Sequence, residues 1–152
     1  MRDYTIDSDK GIKAVDTFTN YLDKINHKWR PADYNEQQRG IDIVCTAQCY
    51  HYEVKHQLWS GKLCIEESDG LREGWIYTSE SDAIVWVSND LKRLTSIKTE
   101  ALREIYLKIR GNYPLRYNEE TEGVHGQVWQ GSFRVIPVID IEPYLQVIKI
   151  KL

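Results

Sequence analysis

Two short β-rich runs, Ile41-Asp42-Ile43-Val44-Cys45 and Tyr52-Glu53-Val54-Lys55-His56, stand about half a dozen residues apart. A chain carrying such a pair is predicted to form a β-hairpin. Side chains alternate faces along a strand, so Glu53 and Lys55 point one way and Val54 the other. A turn centred on Ala47 and Gln48 sets residue 42 opposite 53, and a turn one residue later sets it opposite 55. Either register puts Asp42 on the face of Glu53 and Lys55, with Cβ separations of about 5–8 Å. Ile41, Ile43 and Val54 then carry the apolar face.

The flanking sequence predicts what packs on this hairpin. Ile12, Val15, Phe18, Tyr21, Leu22 and Ile25 recur three or four apart, the stripe of an amphipathic helix from Gly11 to about Trp29. Asp7, Ser8 and Asp9 offer N-caps for it, and Pro31 stops its continuation. Residues 32–40 are polar and are expected to form a loop. A third strand fits Lys62–Glu66, and a fourth, rich in Val, Ile and Trp, fits Ala83–Ser88 at the centre of the sheet. Between them, residues 69–79 read as a loop rejoining a short apolar piece. A second helix is expected from Ser96 to Arg110, ended by Gly111-Asn112-Tyr113-Pro114. Residues 115–129 read as a loop or irregular ribbon. Phe133–Ile139 reads as a late strand that Pro137 confines to an edge or a bulge, and Glu142–Leu145 as a closing turn or short helix. The order predicts one α/β domain over residues 1–152, with a mixed four- or five-stranded sheet flanked by helices.

Composition narrows the partners. Lys and Arg total 20 against 23 Asp and Glu, a net charge of −3. Contact with nucleic acid must therefore come from a local patch or a bound metal, because the chain as a whole is not basic. The longest apolar run, Ala83–Val87, is far short of the roughly 20 residues that span a bilayer, and Met1–Asp7 has no apolar signal core. A cytoplasmic protein with no membrane partner is expected, with Cys45, Cys49 and Cys64 as reduced thiols.

The cluster on the hairpin is where chemistry concentrates. Two carboxylates supply the hard oxygen ligands that Mg²⁺ or Mn²⁺ prefers, and a nearby ammonium can orient a water or steady a pentavalent phosphate. An ordinary cross-strand ion cluster has the same spacing. Cys45, Cys49, His51 and Cys64 raise zinc, but the paired spacings of strong zinc sites are missing and Cys45 belongs to the buried face. Lys28, Arg30 and Lys62 could form a modest phosphate-binding strip, and Trp59 could stack on a base.

Gly40-Ile41-Asp42 followed by Tyr52-Glu53-Val54-Lys55, behind a helix, resembles the PD-(D/E)xK nuclease superfamily, although Ile41 stands where that family often has proline. Ile65-Glu66, Gly74-Trp75-Ile76-Tyr77-Thr78 and Ser81-Asp82 are similar to a small phage-type subgroup of it. The resemblance spans about residues 10–110. It implies a restriction-endonuclease-like fold and hydrolysis of phosphodiesters, with DNA the expected substrate and Mg²⁺ or Mn²⁺ the cofactor. Asp42 and Glu53 would hold the metal with the Val54 carbonyl as a further ligand, and Lys55 would assist the attacking water. Glu66, Asp82 and Asp16 are second-tier positions. A homodimer would let two sites act on two strands. The alternative is a non-catalytic, phage-encoded binding or inhibitor protein on the same fold.

Overall fold

The computed structural model describes residues 4–150; Met1–Asp3 of the expected leaderless N-terminus lie outside them. Helix α1 (Tyr4–Lys24) is the predicted amphipathic helix. It starts before Asp7–Asp9, which are therefore inside it rather than capping it. Its buried line is Ala14, Phe18 and Leu22, with Ile12 and Ile25 left exposed. The stripe is thus rotated from the expected one, because positions four apart stack most directly on one face. Asn26 adopts φ 59° and His27 N–H reaches back to the Leu22 carbonyl at 2.9 Å. That left-handed closure ends the helix well before Pro31.

The chain continues through β1 (Trp29–Pro31), α2 (Tyr34–Gln38), β2 (Ile43–Cys45) and β3 (Tyr50–Gln57). Helix α2 lies where a loop was expected. Asp33 Oδ1 accepts the Glu36 N–H at 2.8 Å while Glu36 Oε1 accepts the Asp33 N–H at 2.9 Å, a reciprocal cap that satisfies two donors a five-residue helix would otherwise leave open. Next come β4 (Lys62–Ser68), α3 (Trp75–Thr78), β5 (Ala83–Ser88), β6 (Arg93–Lys98) and α4 (Thr99–Ile109). The stretch predicted as one helix from Ser96 is thus a strand running directly into a helix. Short strands β7 (Arg116–Tyr117), β8 (Thr121–Glu122) and β9 (Val128–Trp129) form the ribbon region, followed by β10 (Ser132–Pro137), α5 (Val138–Ile141), a 3₁₀ turn (Glu142–Tyr144) and β11 (Gln146–Lys149).

The main sheet is mixed and has six strands, ordered β1-β2-β3-β5-β6-β11, with β3 and β5 parallel. This exceeds the four or five expected, because no strand was expected at β1, β6 or β11. The third strand also leaves this sheet: β4 joins β10 and β7 in a separate three-stranded sheet. There β10 is central rather than at an edge. Pro137 is tolerated at its last residue, where only β4 is alongside, since β7 pairs with Ser132 and Phe133.

Strand alternation divides the interior in two. Cys45, Val54, Val85, Val87 and Leu94 pack under α1. Ile84, Trp86 and Ile97, on the other face, meet Leu63, Ile65, Trp75, Ile76, Leu102, Tyr106 and Ile136 from the small sheet and helices α3 and α4. Among the described residues no helix is long and apolar enough to cross a membrane.

Candidate functional site

Gly40 makes the turn that delivers Asp42 to the hairpin. Its φ is +75°, which strains any L side chain, and a Cβ there would crowd Ser79 Oγ at 3.0 Å and Ser79 Cα at 3.2 Å, so both counts favour glycine. The β2–β3 register is Ile43↔Tyr52, the one of the two open registers that brings residue 42 beside residue 53. Asp42 then brackets Glu53. Its backbone N–H donates to the Tyr52 carbonyl at 2.8 Å, and its Oδ2 accepts the Val54 N–H at 2.7 Å. Lys55 Nζ lies 2.5 Å from Glu53 Oε1 and 5.0 Å from the centre of the Trp75 ring. The ammonium is held by a charge on one side and a π-face on the other.

Glu53 is 5% exposed, and its Oε2 has no hydrogen-bond partner among the described residues. The Ser79 hydroxyl is close but is engaged with the Gly40 carbonyl at 3.2 Å and with Ser81 Oγ at 2.8 Å. Burial pushes the Glu53 carboxyl above its ordinary range, and Lys55 only partly offsets this. Burial raises Asp42 as well, against the Val54 N–H and the Lys55 charge. Two carboxylates therefore share one ammonium in a site that water does not freely reach, a local deficit of positive charge.

A second polar row crosses the same face at the start of β3. Arg30, Val44, His51 and Asp82 are successive neighbours across β1, β2, β3 and the approach to β5. Asp82 Oδ2 accepts the His51 N–H at 2.7 Å and lies 3.1 Å from His51 Nδ1. His51 Nε2 is 4.0 Å from Glu36 Oε2. Arg30 grips both Glu36 oxygens at 2.6 and 2.9 Å. That hydrogen bonding, with the Asp33 N–H, holds the Glu36 carboxyl at about 2.

The remaining predicted positions scatter. Asp16 is exposed on α1, which covers the opposite face of the sheet from Glu53. Glu66 lies on β4 in the small sheet, lining a hollow with Asp69, Asn118 and Trp129. Asp82 joins His51 rather than the Asp42–Glu53 pair. Arg30 is committed to Glu36, and Lys28 is exposed just before β1. Trp59 and Lys62 sit past the far end of β3, where Gln57 Nε2 donates to both their carbonyls at 3.2 Å. The basic strip is therefore split between two ends of the sheet. Cys45 is buried under α1, whereas Cys49 and Cys64 are exposed, and none of the three is in a disulfide. Spread over two sheets and a turn, they do not converge on a zinc ion.

Among the described residues no three His, Cys, Asp or Glu side chains converge as a ready metal cage. Mg²⁺ does not need one, since it keeps several waters and takes one or two carboxylates. The unpartnered Glu53 oxygen and the charge deficit fit a hard divalent cation held by Asp42, Glu53 and the Val54 carbonyl. The sequence reading missed Trp75 as the support for Lys55 and did not group His51 with the site. His51 was legible, because it is two residues before Glu53 and so shares its face. Trp75 was not, since it comes from a separate helix. No model of a protein family, no curated protein and no solved structure matches this chain.

Proposed function

We propose that the chain is a divalent-metal-dependent nuclease of restriction-endonuclease-like fold, hydrolysing phosphodiester bonds in DNA. The observation that carries the reading is the adjacent carboxylate pair, half-buried Asp42 and buried Glu53, with one ammonium bonded to Glu53 and one Glu53 oxygen lacking any partner among the described residues. Mg²⁺ or Mn²⁺ bound there would lower the pKa of a bound water and neutralise charge on the phosphate. Asp42 is fixed for this work by the Val54 N–H, which leaves its carboxylate facing Glu53. Lys55, anchored on Glu53 and backed by Trp75, would hold the attacking water by donating to it and would stabilise the phosphate oxygens as their charge grows. Support for the fold comes from the helix, the hairpin and a crossover to a parallel strand. A homodimer would place two such sites on two strands.

The test is incubation with supercoiled, linear, branched and single-stranded DNA and with RNA, in Mg²⁺ or Mn²⁺. Cleavage is expected from the wild type and is lost in Glu53→Ala and Lys55→Ala while their circular dichroism stays native. If no substrate is cut and metal does not raise the melting temperature, the catalytic reading falls and a binding or inhibitor protein takes its place.

A further inference from the structure

We propose that a cleft on the α1 face of the main sheet is a nucleotide-binding site that takes a flat base together with its phosphate. The cleft encloses about 500 Å³, within the range of sites that hold small organic ligands. It lies beyond the end of α1, where the helix no longer covers the sheet, and it opens on the opposite face from Asp42 and Glu53.

Three kinds of chemistry meet in its walls. Tyr50 on β3 and Tyr144 ahead of β11 present aromatic rings. The Tyr50 ring is backed by Tyr52, centroids 5.0 Å apart, which is itself backed by Phe18 at 4.9 Å. These tilted and edge-to-face contacts hold the Tyr50 ring in place before any ligand arrives. Gln48 and Gln146 add amides that both donate and accept. Lys98 and His27 bring the basic groups, and among the described residues no Asp or Glu lines the cleft. A flat apolar wall, amides suited to the polar edges of a ring, and a basic rim without acids together match a nucleobase carrying a phosphate. An aliphatic chain would use neither the amides nor the rim.

The inference goes beyond the nuclease reading and does not require it. Tyr50 and Tyr52 flank His51 on one strand, so cleft and carboxylate pair share β3 but face opposite sides of the sheet. The same nucleotide chemistry has two sources, a free nucleotide or one unit of a single strand, and the experiment separates them.

Deoxyadenosine monophosphate and a fluorescein-labelled hexadeoxyadenylate are each titrated into the full chain in EDTA, where metal-dependent cleavage is silent. Calorimetry follows the first and anisotropy the second. Tyr144→Ala and Lys98→Glu are the variants; Tyr144 is 61% exposed and Lys98 is on the surface, so both should fold. Tyr144→Ala should weaken binding at least about fivefold, the loss expected for one stacking partner. Lys98→Glu, which replaces the rim's ammonium by a carboxylate, should weaken binding of the monophosphate at least about fivefold. Binding of both probes with both losses assigns the cleft to a strand, and binding of the monophosphate alone assigns it to a free nucleotide. No binding of either probe, or binding that both variants leave unchanged, overturns the proposal whatever the outcome of the nuclease assay.

Discussion

Glu53 on β3 and Glu67 on β4 are both largely buried, with side chains 6% and 13% exposed, yet the protein completes one site and leaves the other short. Glu67 Oε2 accepts the Tyr77 hydroxyl at 2.5 Å, and Oε1 accepts both the Tyr106 hydroxyl and Arg134 Nε, the latter at 3.0 Å. Arg110 stands 4.0 Å away and donates to the Tyr77 hydroxyl. Burial alone would raise the Glu67 carboxyl, but these donors outweigh it and the net direction is down. For Glu53 burial wins and the direction is up. A buried carboxylate given every donor it can use is a structural rivet joining β4, α3, α4 and β10. One left with a bare oxygen is, on the proposed reading, where a metal would supply the missing partner.

The largest effect should come from breaking the rivet. Glu67→Ala leaves Arg134 with no carboxylate and two phenols with no acceptor, at a cost of about 3 kcal/mol or more in urea unfolding. A loss under about 1 kcal/mol would erase the contrast. Next, Mg²⁺ at a hundred times its dissociation constant should stabilise the wild type by about 2.7 kcal/mol. Glu53→Gln should show no such gain while keeping its metal-free stability within about 1 kcal/mol of wild type. Equal thermal shifts in the two proteins would mean that Glu53 holds no metal.

Acidity sharpens the same comparison. Ordinary carboxyls titrate near 4.5 for Glu and 3.8 for Asp. Glu53 and Asp42 are raised above these values, so the folded state binds their protons more tightly than the unfolded chain. Their contribution is full below about pH 4 and declines as pH climbs through the raised values. Glu67 and Glu36 are lowered, Glu36 to about 2, so their contribution is present above 4.5 and disappears as pH falls. In metal-free unfolding curves, Glu53→Gln should flatten the upper limb and Glu67→Gln the acid limb. Identical pH profiles for the two variants would contradict the opposite shifts of the two carboxyls. The smallest change is expected from Asp33→Ala, which removes one half of the α2 cap and costs about 1 kcal/mol in thermal melts.

What could be read from the chain before folding follows from sequence distance. The α1 stripe and the Asp42–Glu53–Lys55 face rest on local spacing, and the alternation of the hairpin was enough to bring those three side chains together. Helix α2 carried a signal that went unread: Asp33 and Glu36 stand at capping-box spacing. Strand β6 was hidden because Ile97, Ala101, Leu102 and Ile105 continue a helical rhythm across the boundary at Lys98, and only pairing with β5 makes Arg93–Lys98 a strand. The Glu67 rivet was out of reach. Tyr106 and Arg134 are 39 and 67 residues away from it, and nothing local to a β4 glutamate names them.

The parallel pairing of β3 with β5 imposes an order of assembly. A hairpin such as β2–β3 can close within microseconds, whereas β5 must return to β3 across the long loop that carries β4 and α3. Loop closure makes that step the slower one. The fast step alone pairs Asp42 with Glu53, whereas Ser79, which stands beside Gly40 and Glu53, arrives with the slower one. The enclosure that leaves the site's charge unbalanced thus depends on a long-range closure and not on the hairpin alone.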